Sequence, residues 1–147
     1  MKYTSTGLVT ACLATLLAFP AQAQTVKAGD EMVDKQISGF FDTLKRGDAD
    51  GAIAAVMNSS PLWANRTGAK EQMVAQVEAA TKIYGPLVSF DCLPTLHTGS
   101  LISRKYCFAQ HQLMVVRWQF DFARLPTGWS VAYFGFTDQA NNWPDGD

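Results

Sequence analysis

The chain has 147 residues, 48% hydrophobic and 17% charged, and its 12 basic and 13 acidic residues give a formal net charge of −1. A near-neutral balance with no basic run argues against nucleic acid or an anionic membrane surface as partner. The length suits one domain of ordinary size, large enough to bury roughly two-thirds of its surface.

Met1 to Ala23 has the layout of a secretory signal peptide. Lys2 supplies the positive start, Leu8 to Phe19 the apolar run, and Ala21-Gln22-Ala23 a small-residue cleavage site after Pro20. The run is too short for a bilayer span, which takes roughly 20 apolar residues. Cys12 precedes most of it, against a lipid attachment there. Removing residues 1–23 leaves 124 residues, with 24–138 expected as one domain and 139–147 as a polar tail in which Trp143 docks back on the body. Cleavage also leaves two cysteines, Cys92 and Cys107, in a periplasmic or extracellular setting that oxidises thiols.

Gln24 to Gly29 reads as a polar leader. From Asp30, Val33, Ile37, Phe40, Phe41 and Leu44 recur at helical spacing, and Gly47 ends the helix. Asp48 caps a second helix through Met57, which Asn58-Ser59-Ser60-Pro61 stops. Leu62-Trp63-Ala64 forms either a short strand or a plug over the open end of the core. A third helix spans about Ala69 to Tyr84, with Met73, Val77, Ala80 and Tyr84 on one stripe, and Gly85-Pro86 stops it.

Beyond Gly85 the hydrophobic period changes to two, which predicts four consecutive antiparallel strands. With Gly99-Ser100 as a two-residue turn, Thr98 faces Leu101 and Cys92 faces Cys107. Directly opposite residues lie about 4.5–5.5 Å apart at their α-carbons, so this register favours a disulfide over free thiols or a metal site. A zinc site from Cys92, His97, Cys107 and His111 fails geometrically. Cys107 and His111 are about 13 Å apart along one strand, and His97 alternates to the face opposite Cys92.

In the third strand Met114, Val116, Trp118, Phe120 and Phe122 point inward, while Arg117 and Asp121 point outward as a solvated ion pair. The fourth strand is expected to put Trp129, Val131 and Tyr133 inward and Ala132, Phe134 and Phe136 outward. Arg117, Asp121, Phe134 and Phe136 would then form a dimer face.

Three helices followed by an antiparallel sheet, with Gly47-Asp48 between the first two helices and Gly128-Trp129 opening the last strand, resembles the nuclear-transport-factor-two-like superfamily. The likeness covers about Glu31 to Asp138. It implies an α+β fold of three N-terminal helices packed on a strongly bent four-stranded sheet, cone-like, enclosing an apolar pocket and often dimerising through the outer sheet face. Fold alone does not set function.

The expectation is a secreted or periplasmic, non-catalytic domain. It would bind a small apolar or aromatic ligand through Trp63, Tyr84, Trp118, Phe120 and Tyr133, or assist a partner protein, as a homodimer without cofactor or metal. Two alternatives stay open. One is a small lyase, hydrolase or isomerase using Asp91 as base, if Asp91 is buried inside the cone with Tyr106, Phe108 and Tyr133. The other is a structural dimerisation module.

Overall fold

The computed structural model describes residues 21–139. Three helices, α1 (Ala21–Lys45), α2 (Ala49–Asn58) and α3 (Ala69–Tyr84), are followed by β1 (Leu87–Cys92), β2 (Leu96–Thr98), β3 (Ile102–His111), β4 (Val115–Leu125) and β5 (Gly128–Thr137). The strands form one open antiparallel sheet in the order β1-β3-β4-β5, with β2 also pairing with β3. The fold is therefore α+β, with one strand more than the sequence predicts. The signal-peptide assignment falls outside the described residues up to position 20, as does the docking of Trp143.

Helix α1 begins at Ala21, so the stretch read as a polar leader is helical. Its apolar stripe, Val33, Ile37, Phe40, Phe41 and Leu44, is buried throughout. Gly47 at φ 82° and Gly85 at φ 83° take the positive-φ backbone, open to glycine, that halts α1 and α3, and the amide of Gly85 donates to Thr81 O at 2.9 Å. Asp48 caps α2, accepting from the Gly51 amide at 2.8 Å.

Pro94 explains the fifth strand. It has no N–H to give to a ladder, and the predicted first strand divides around it into β1 and β2. Cys92 pairs with Cys107 as expected, but Thr98 pairs with Ile102 rather than Leu101. The turn therefore holds three residues, Gly99 to Leu101, and the one-residue offset is absorbed between Leu93 and Thr95. His97 consequently lies opposite Ser103, on the helix side with Cys92, which reverses the expected alternation.

A second offset lies in β5. Phe122 pairs with Val131 and Asp121 with Tyr133, leaving Ala132 as the extra residue of a β-bulge. Past the bulge every side chain changes face. Phe134 (2% exposed) and Phe136 turn inward against Trp118 and Phe120, while Tyr133 turns out and is 50% exposed. Phe134 and Phe136 therefore belong to the core and not to the outer face, and Tyr133 belongs outside.

The core lies between the helices and one face of the sheet. Phe40 packs edge-on against Trp118 and Phe120 at centroid distances of 4.9 and 5.4 Å, and Phe41 stacks on Phe90 at 4.5 Å. The Cys92–Cys107 disulfide ties β1 to β3 with α-carbons 4.0 Å apart, and Cys107 is fully buried.

Candidate functional site

The five residues expected to line a ligand site divide into three places. Trp118 and Phe120 are 2% and 1% exposed, stacked on each other and covered by Phe40 and Phe41, so helix side chains fill the room a ligand would need beside them. The indole Nε1 of Trp118 is buried without a hydrogen-bond partner among the described residues. Tyr84 sits at the end of α3, with its hydroxyl donating to Asp138 and its ring 6.3 Å from that of His111. That hydrogen bond raises the Tyr84 pKa above its ordinary value, because ionisation would remove the donated proton. His111 is anchored in turn by Nδ1 to Gly85 O at 2.8 Å.

Trp63 acts as the plug and not as a strand. The segment between α2 and α3 is a run of turns, and Pro61 and the polar residues around it keep it from either regular structure. The indole Nε1 donates to Val131 O at 3.1 Å, beside the bulge, and the ring meets Phe134 edge-on at 5.4 Å. The Arg66 guanidinium lies 4.6 Å above the same ring.

Three cavities surround this plug. Ser60, Pro61, Leu62, Ala123, Leu125 and Ala132 are among the walls of a groove of about 370 Å3, whose polar side chains are the hydroxyls of Ser60 and Ser130. A wider cavity of about 590 Å3 shares Ser60 and Pro61 with it and is bounded by Trp63, Arg66, Lys70 and Glu71. The third, about 260 Å3, lies between α3 and β5 and includes Trp63, Arg66, Tyr133 and Phe134 in its walls. Lys70 is paired with Asp50 at 2.8 Å, whereas Arg66 has no ion-pair partner among the described residues.

The outer face of the sheet carries a hydrogen-bonded polar set beside Tyr106, Phe108 and Tyr133. Arg104 grips Asp121 bidentately at 2.7 and 2.8 Å, and the amide of Gln119 donates to both oxygens of the same carboxylate. The hydrogen bonds to Asp121 raise the Arg104 pKa further above its already high value. Asp121 thus pairs with Arg104, its directly opposite neighbour, and not with Arg117, four residues along its own strand. Arg117 instead lies over the Tyr106 ring at 5.1 Å. Asp91 faces this side opposite Phe108 and is exposed, and it accepts from the adjacent Cys92 amide at 2.8 Å. It is therefore not enclosed with Tyr106, Phe108 and Tyr133, the condition on which its role as base depended.

A polar seam between α1 and the β2–β3 hairpin is absent from the sequence reading. Ser103 Oγ lies 3.1 Å from His97 Nδ1, and His97 Nε2 lies 3.4 Å from Asp30 Oδ1. Beside them Lys105, buried on the helix side of β3, reaches Asp34 at 2.5 Å and Thr95 at 3.3 Å. Aspartate, histidine and serine in series are the residue types of a nucleophile relay. Here Ser103 is 1% exposed, so its hydroxyl is a hydrogen-bonding post inside the seam. The available signal was parity, since Ser103 and Lys105 share the face of Cys107. Among the described residues no cluster of three or more His, Cys, Asp or Glu side chains could hold a metal ion.

No protein-family model matches the chain, and no curated protein resembles it at a significant level.

Proposed function

We propose that the protein is a non-catalytic binding domain, working outside the cytoplasm after removal of residues 1–23, that takes a small apolar molecule into the groove beside Trp63. The carrying observation is that groove of about 370 Å3, with carbon walls from Pro61, Leu62, Ala123, Leu125 and Ala132 and two hydroxyls to orient a polar atom. The disulfide supports the oxidising compartment. Helices followed by a single antiparallel sheet support membership of the nuclear-transport-factor-two-like superfamily. A neutral solvatochromic dye tests the reading. It should bind with a blue shift, and Leu125→Glu at this exposed hairpin position should abolish binding without unfolding the protein. Unchanged binding in that variant would remove the groove as the site.

A second reading, a module joining two copies through the outer sheet face, is favoured by half-exposed Tyr133 beside the Arg104–Asp121 pair. Aromatic and arginine side chains are enriched in such interfaces. A charge at Tyr133, not at Phe136, is the appropriate probe. Tyr133→Glu should convert a dimer to monomer in light scattering, and a persistent dimer would exclude this face.

A further inference from the structure

Resting on the reading of the groove as the binding site, we propose that its ligand is a single-chain amphiphile with a carboxylate head, the tail seated against Leu62 and Leu125 and the head held by Arg66. The groove has no charged side chain in its walls, so it suits the apolar part of a molecule and gives no hold to a charge. It shares Ser60 and Pro61 with the adjoining cavity, and Arg66 stands in the wall of that cavity. A chain following the shared wall leaves an apolar channel and arrives at a guanidinium.

The state of Arg66 makes it a receptor. Of the two cations in the adjoining wall, Lys70 is occupied by Asp50, while Arg66 has no carboxylate among the described residues. The Arg66 guanidinium carbon lies 4.6 Å from the Trp63 ring centroid, a contact that uses the face of the group and leaves its N–H donors to an acceptor. A carboxylate matches those donors bidentately, and an alcohol does not. Glu71 lines the same cavity, so a second negative charge on the head would be opposed there. Trp63 lines the head cavity with Arg66 and is held by Val131 O and Phe134, so head binding should be visible in its fluorescence.

Calorimetric titration of the oxidised protein with decanoate and with decanol, both below their aggregation concentrations, provides the test. Decanoate should bind at least about tenfold more tightly than decanol. Arg66→Gln should erase that difference by weakening decanoate to the level of decanol, and Leu125→Glu should abolish decanol binding. Equal affinities for acid and alcohol, both lost in Leu125→Glu, would overturn the carboxylate inference and leave the apolar groove standing. Decanol binding indifferent to Leu125→Glu, or no binding of either compound or of the neutral dye, would overturn the groove and the inference together.

Discussion

The bulge at Ala132 makes a sharp prediction, because it reverses the faces of two adjacent aromatic residues. Phe134 is 2% exposed and meets the Trp63 ring at 5.4 Å, whereas Tyr133 is 50% exposed and lies across Gly135, where an added Cβ would come 2.7 Å from the tyrosine hydroxyl. Truncating a buried phenylalanine to alanine costs about 3–5 kcal/mol, from lost transfer energy and the cavity left behind. Truncating a half-exposed tyrosine on a solvated face should cost about 1 kcal/mol or less. For a domain of this size the first loss lowers Tm by about 10–20 °C and the second by only a few degrees. Urea titration of Phe134→Ala and Tyr133→Ala, followed by tryptophan fluorescence and far-ultraviolet dichroism, measures both. A double-mutant cycle with Trp63→Ala should add a coupling of about 0.5–1.5 kcal/mol for Phe134 and none for Tyr133. Equal losses, or a larger one at Tyr133, would refute the bulge and restore uninterrupted alternation along β5.

Replacing Cys92 and Cys107 by serine, or reducing the native protein, should lower stability by about 2–4 kcal/mol through the freed 15-residue loop, as read by denaturant midpoint. In the seam, Lys105→Met should be near neutral or stabilising, because the ammonium is already largely desolvated. Asp34→Ala should cost about 1–3 kcal/mol by leaving that charge without its main partner, and the reverse order in thermal melts would contradict the buried position of Lys105. The Tyr84 pKa is raised in the folded state above its ordinary value of 10.0, so its hydrogen bond to Asp138 stabilises fully below that value and is lost as pH rises through the folded pKa. Melting curves across the alkaline range should therefore decline less steeply in Tyr84→Phe than in the native protein, and parallel curves would exclude the contact.

Much of the architecture was legible because it depends on local chemistry. Val33 to Leu44 repeat at the helical period, Asp48 stands where an N-cap belongs, and Met114 to Phe122 alternate without interruption, so those elements and their buried faces follow from spacing alone. Opposition of Cys92 and Cys107 was also readable, although the turn used to derive it holds three residues and not two. The prediction survived because the added turn residue is compensated around Pro94 before the pairing reaches the cysteines.

The candidate site was less legible, since it depends on residues brought together across long separations. Trp63 and Val131 are 68 residues apart, and Lys105 and Asp34 are 71 apart. Parity could have placed Ser103 and Lys105 on the helix side, but only α1 packing there brings Asp34 to Lys105 and Asp30 to the His97 ring beside Ser103. By itself, the sequence determined the three helices, the antiparallel sheet that follows them and the disulfide pairing. Tertiary structure decided which aromatics close the core and which stay outside. A strand has a side-chain period of two, so one bulged residue, Ala132, reverses every later face, and nothing in the local hydrophobic pattern announces where that residue will be inserted.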